Sequence, residues 1–218
     1  MPTLRLIASV FALLSPIAVA DMAALPQARQ AVPAPPQEPP AWLRRGQPGE
    51  GHALLRALAG NWRVEKSLYI AIGSRERPAT SRELVARRRL IAGGRYLQDI
   101  TEGPIAGGAY YRMGLLGFST MDRRYEWVTV DGTNANMMIY RGDALTSAQL
   151  ASTTPMIGLT GTFTDQGLVG EETAGRAVAM RTVIQVEGPD RHVIELHFTP
   201  PGRAEMLIDR SVYTRLPN

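Results

Sequence analysis

The chain has 218 residues, no cysteine and a formal net charge of +4. Without cysteine, disulfides, thiolate metal sites and a cysteine nucleophile are excluded. The charge is carried almost wholly by arginine, with Lys66 the single lysine, and the arginines alternate with acidic residues instead of clustering with aromatics. That arrangement argues against a nucleic-acid surface, which needs basic and stacking side chains interleaved.

Residues 1–20 read as a secretory signal peptide. Arg5 is the positive region, an apolar run follows, and Ala18-Val19-Ala20 is a small-residue cleavage site. The apolar run is short and holds Pro16, so no stable membrane insertion is expected once it is removed. The expected location is periplasmic or secreted. Residues 21–50 form a Pro-rich linker, with Pro33, Pro35, Pro36, Pro39, Pro40 and Pro48, expected to be a disordered spacer. Residues 51–218 then make one domain, long enough to bury its own core.

Residues 52–59 predict a short helix, with Leu54, Leu55 and Leu58 at helical spacing and Gly60 as its stop. Strand patterns follow at residues 62–72, 80–91, 95–101, 109–119, 125–130, 135–141, 159–164, 176–187, 192–199 and 204–216. They are separated by turns at Gly93-Gly94, Asp122-Arg123, Asp131-Gly132, Gly188-Pro189-Asp190 and Pro200-Pro201-Gly202, and by loops over 103–108 and 166–175. The connections are too short for parallel crossovers. The expected fold is all-β: a single antiparallel up-and-down β-barrel of about ten strands with a short N-terminal helix. The run Arg87-Arg88-Arg89 is expected on a solvated strand, since neighbouring strand residues point to opposite faces.

Gly60-Asn61-Trp62, placed after a helix and opening the first strand, resembles the Gly-x-Trp signature of the calycins, the lipocalins and fatty-acid-binding proteins. That resemblance implies that Trp62 packs across the barrel floor against a late arginine, here Arg215, as a structural closure. Gly114-Leu115-Leu116-Gly117-Phe118, Asp122, Tyr125, Asp131, Met137-Met138, Gly142, Leu159-Thr160-Gly161, Met180-Arg181-Thr182, Asp190-Arg191-His192-Val193 and Tyr213-Thr214-Arg215 resemble the bacterial DUF1579 family. The match runs over about residues 52–216. It implies a lipocalin-like barrel and no established activity. The family often carries an aromatic where Thr129 stands, which implies a different ligand preference if that position lines the lumen.

The hairpin around Pro189 has two faces. Met180, Thr182, Ile184, Val186, His192, Ile194, Leu196 and Phe198 share one; Arg181, Val183, Gln185, Val193, Glu195 and His197 share the other. One-sided alternation makes the apolar face the core. A polar lumen built from Arg181, Glu195 and His197 is the alternative. His192 and His197 point oppositely and cannot share a metal, and no metal or catalytic motif occurs. No cofactor is expected; a haem with a single axial histidine is the alternative.

The expected function is binding of a small, largely apolar molecule in the lumen. The candidate ligand-binding residues are Val64, Leu68, Tyr96, Tyr111, Arg112, Trp127, Met138, Arg181 and Glu195. Two alternatives remain: an isomerase or cyclase with an Asp/Glu/His pair in the barrel, and a ligand-free interaction module of the cell envelope.

Overall fold

The computed structural model describes residues 38–217. The signal peptide and most of the linker lie outside the described residues. Ten strands run in chain order: β1 (Gly60–Leu68), β2 (Ala79–Ile91), β3 (Tyr96–Ile105), β4 (Gly108–Ser119), β5 (Arg124–Asp131), β6 (Met138–Gly142), β7 (Met156–Thr164), β8 (Ala177–Gly188), β9 (Arg191–Thr199) and β10 (Met206–Arg215). Each pairs antiparallel with its sequence neighbours, and β10 pairs back onto β1. The all-β, up-and-down ten-stranded barrel expected from the sequence is the observed fold. Closure leaves no unpaired sheet edge. Among the described residues, no helix is long and apolar enough to cross a membrane.

Three short helices accompany the barrel: α1 (Ala41–Arg45), α2 (His52–Leu58) and α3 (Ser147–Leu150). The end of the expected spacer is therefore ordered against the domain. Arg95 Nε donates to the Gly46 carbonyl at 3.0 Å, and the Thr120 hydroxyl donates to that of Arg45 at 2.8 Å. Helix α2 plugs one end of the barrel with Leu54, Leu55 and Leu58, all buried. The Tyr125 hydroxyl holds the helix entry by donating to the Gly51 carbonyl at 2.7 Å.

Strand ends differ from expectation for local reasons. The loop expected over 103–108 shrinks to Ala106-Gly107. Both have positive φ, 47° and 80°, which suits a two-residue turn matching sheet twist. Pro104 is tolerated because β2 pairs with β3 no further than Glu102, so no β2 partner meets it. Strand β1 stops at Leu68, and Ile70, Ala71 and Ile72 bend over the barrel mouth. Strand β6 starts at Met138 and not at 135. Asp131 Oδ1 accepts from the amides of Thr133 and Asn134, and Asn134 Oδ1 accepts from that of Asn136, so side chains occupy the donors a strand would use.

The β6–β7 pairing is the thinnest in the barrel, with Arg141 opposite Thr160 and Gly142 opposite Leu159. Gly161 sits beside it, and a Cβ there would lie 2.2 Å from the Ile139 carbonyl oxygen. Backbone must move to admit even one methyl, so Gly161→Ala is expected to cost about 1–3 kcal/mol in urea denaturation. An unchanged midpoint would show the seam to be pliable.

Candidate functional site

Alternation along each strand sends one set of side chains into the barrel. At the α2 end the interior is an apolar floor. Trp62 is buried there, its Nε1 donating to the Leu58 carbonyl at 3.0 Å. In the β1–β10 register Trp62 stands opposite Arg215, whose guanidinium carbon lies 4.1 Å from the centre of the indole. Arg215 also donates to the carbonyls of Ala57, Ala59 and Pro189, tying α2, β10 and the β8–β9 turn together.

Above the floor lies a charged layer, of which the sequence reading named only Arg112 as a candidate. Lys66 contacts Asp209. Asp99 accepts from two arginines, Arg88 Nη2 at 3.3 Å and Arg112 Nη2 at 2.8 Å, and from the Thr101 hydroxyl at 3.1 Å. Arg112 Nη2 also donates to the Tyr213 hydroxyl at 3.1 Å. Burial disfavours the Asp99 carboxylate, yet Arg88 and Arg112 outweigh it and hold its pKa below the ordinary range. Burial likewise disfavours the Lys66 ammonium, but Asp209 more than restores it. Lys66 thus stays protonated and is no amine nucleophile. The signal for Lys66 was present: Trp62, Val64, Lys66 and Leu68 alternate onto one face. Asp99 sits between Leu97 and Thr101 in the same way. A β-bulge between Leu207 and Asp209 hid Asp209 from simple alternation.

Arg88 corrects the reading of Arg87-Arg88-Arg89 as a wholly solvated strand. It shares the inward face with Leu84 and Ala86 and is buried. Its Nη1 donates to His192 Nε2 at 2.6 Å, which places the histidine proton on Nδ1, a buried atom with no acceptor. His192 stacks on Tyr213 at 4.4 Å. Burial first, then the charges of Arg88 and Arg215, hold its pKa far below the ordinary value. The unfolded chain takes up this proton near pH 6.5 while the folded protein does not. Stability is therefore expected to fall as pH drops below about 6.5, by about 1.4 kcal/mol per pH unit for this residue. Urea denaturation at pH 7 and pH 5.5 checks this. His192→Gln, which retains an acceptor for Arg88, should show a much shallower slope; an equal slope would assign the effect elsewhere.

Beyond the charged layer the barrel opens into a cavity of about 280 Å3 at the end opposite α2. Its wall is mostly apolar, with Ile70, Ile105, Leu168, Leu196, Phe198 and Ile208. Of the candidate residues, Leu68, Arg112, Trp127 and Met138 line this cavity. Val64 points inward but is packed in the core without reaching the cavity wall. The other four are corrected. Tyr96 and Tyr111 lie on the outer face, 43% and 44% exposed, because each falls on the odd step beside inward Leu97 and Arg112. Arg181 and Glu195 also lie outside, Arg181 bonded to Glu205 and Glu195 to Arg210. The apolar face of that hairpin is the inner one, as one-sided alternation requires.

Gly114 permits the placement of Trp127: a Cβ there would lie 2.6 Å from the indole Nε1. Thr129 lies on the cavity wall. Burial pushes the Tyr140 phenol up to about 12, so it lines the cavity as a neutral hydroxyl. The carboxylates on the wall are Asp209, paired with Lys66, and Asp131, engaged by its own turn. No histidine lines the wall: His52 lies in α2 at the opposite end and accepts from the Gly49 amide, His192 is in the floor, and His197 pairs on the outside with Glu195 and Glu205. A histidine-ligated haem therefore finds no ligand in this cavity. Among the described residues no His, Asp and Glu cluster suited to a metal ion occurs.

The described residues thus form a closed ten-stranded antiparallel barrel with a charged middle layer and an apolar cavity. Residues 47–215 match the family described as "Protein of unknown function (DUF1579)", and the chain belongs to that family. No curated protein matches it. Among solved structures, Rv2717c from M. tuberculosis is similar in fold, with a TM-score of 0.54 and 14% identity over 78% of this chain and 100% of that one. EF1p2_mFAP2b bound to DFHBI is more distant, with a TM-score of 0.39 and 10% identity over 77% of this chain and 100% of that one. The likeness to the second is too remote to bear on function.

Proposed function

We propose that this protein is an exported binding protein that takes one small, largely apolar molecule into its barrel. The observation that carries this reading is the cavity of about 280 Å3 with an apolar wall, open at one end of an otherwise packed barrel. A pocket near 300 Å3 with a few convergent polar groups is the usual form of a small-molecule site. The export segment read at residues 1–20 supports a site in the periplasm or outside the cell. A nucleic-acid partner is not supported: outer arginines such as Arg87, Arg181, Arg191 and Arg210 each sit against a carboxylate.

Native mass spectrometry of the protein purified from its own exported fraction tests the reading. The expected result is a mass adduct that disappears on unfolding, or uptake of the neutral dye Nile red by adduct-free protein. Protein that carries no adduct and takes up no dye would overturn it.

A further inference from the structure

We propose that the outer face of β3 to β6 is a self-association surface, on which a second copy of this chain docks sheet to sheet to give a two-fold dimer.

The inference comes from an asymmetry on the outside of the barrel. On β8 to β10 outward side chains pair by charge, Arg181 with Glu205 and Glu195 with Arg210. On β3 to β6 the centre of the outer face is apolar. Leu115 stands beside Val128, and Val128 beside Ile139. One pleat away, Met113 stands beside Ile100 and Val130. All six point away from the core, and Ile139 is 54% exposed. None of them lines the cavity, so ligand binding there does not explain them. Tyr96 and Tyr111, also outward, extend the apolar face at its two ends.

Size and relief both suit a protein partner. Four strands at about 4.8 Å spacing, and the stretch 111–117 at about 3.4 Å per residue, cover roughly 450 Å2 before side-chain relief is counted. That is in the upper range of what a monomer leaves bare. With its charged rim the face approaches the ~800 Å2 per partner of a stable interface, and it has the same make-up, an apolar centre with Tyr and Met and charges at the edge. Gly117 has no side chain, and Tyr96 lies across it: a Cβ there would stand 2.7 Å from the Tyr96 ring. The result is a shallow groove of about 390 Å3 lined by Tyr96, Leu115, Val128 and Ile139, a seat for protruding side chains of a second copy.

Other occupants fit this face less well. An added peptide strand needs a free sheet edge, and the closed barrel offers none. A lipid surface selects a rim of basic residues free of carboxylates. Here Arg87 sits against Glu102, and Arg124 and Arg141 sit against Glu126. Flat sheet faces pack on one another, and a second copy supplies the matching apolar face by symmetry. In such a contact the centre of the face meets its own copy, so Leu115 lies near Leu115.

Sedimentation velocity of the exported protein at micromolar concentration is expected to give twice the monomer mass. Ile139→Arg and Val128→Arg put a charge on the face and should return the protein to monomer mass with an unchanged circular dichroism spectrum. Gln185→Arg, on the outer face of β8, should leave the dimer intact. The chain has no cysteine, so one introduced thiol reports on the contact alone. Leu115→Cys should cross-link to its copy through a short bismaleimide, and Gln185→Cys should not. This readout stands even if the arginine variants fail to fold. A monomeric wild type overturns the proposal, and flotation of that monomer with phosphatidylglycerol vesicles would give the face to a lipid surface instead. A dimer that survives both arginine variants, or a Leu115→Cys protein that does not cross-link, overturns it as well.

Discussion

Trp62→Ala is expected to lower the unfolding free energy by about 3–5 kcal/mol, a large share of the ~5–15 kcal/mol that holds a domain of this size folded. Three losses combine. The indole is 1% exposed, so its removal leaves a cavity in the floor that the barrel cannot collapse to fill. The Leu58 carbonyl loses its Nε1 donor at the end of α2. Arg215 loses the ring on which it lies, and the His192 ring loses an edge contact at 4.4 Å. Trp62 also lies in β1 between Ala86 of β2 and Arg215 of β10, so the damage falls where the barrel closes. Urea denaturation measures it. Trp62→Phe should fall between wild type and alanine, since it restores volume and a ring face but no donor. A loss below about 1 kcal/mol for the alanine variant would show that α2 and Arg215 close the barrel without the indole.

Asp99→Asn is expected to cost about 3–5 kcal/mol near neutral pH. The substitution keeps shape and the contact with Thr101 but leaves Arg88 and Arg112 buried with no carboxylate between them. Like charges would then face each other in a layer that water reaches only through the cavity. The pH dependence has a definite sign. The folded pKa of Asp99 lies below its ordinary value, so its contribution is complete above the unfolded value of about 3.9. It is lost as pH falls from there through the folded value. Wild type and Asp99→Asn should therefore differ most at neutral pH, and the difference should shrink as pH falls below about 3.9. A pH series of urea midpoints reads this directly. Near-equal stability at pH 7 would mean that solvent in the cavity hydrates the two guanidiniums.

Much of the interior was legible as pattern. The hairpin of β8 and β9 shows it best. Met180, Thr182 and Ile184 alternate with Arg181, Val183 and Gln185, and the side that is apolar in sequence is the buried one. Leu68, Arg112, Trp127 and Met138, named as ligand-binding candidates, lie on the cavity wall. Tyr96 and Tyr111 do not. Aromatic type suggested a lumen, but the phase of β3 and β4, with Leu97, Asp99 and Thr101 inward and Tyr110 and Arg112 inward, puts them on the opposite side. Lys66 and Arg88 were overlooked because charged residues are rarely buried unless paired. Their partners Asp209 and Asp99 are distant in sequence and come from strands whose register only the closed barrel sets.

The sequence by itself determined the class of architecture. Period-two patterns, hairpin-length connections and the bracket of Trp62 and Arg215 are local or terminal features, and each strand's two faces are written in its own residues. Which residues line the cavity, and which buried charges lack a partner, the tertiary structure alone decided. The cavity wall draws on β1, β3, β4, β5, β6, β8, β9 and β10 and the charged layer on β1, β2, β3, β4 and β10, sets of side chains that meet only when the sheet closes. Whether Arg112 finds a full counter-charge depends on how Arg88, Asp99, Asp131 and Asp209 share their contacts, and no single strand contains that balance.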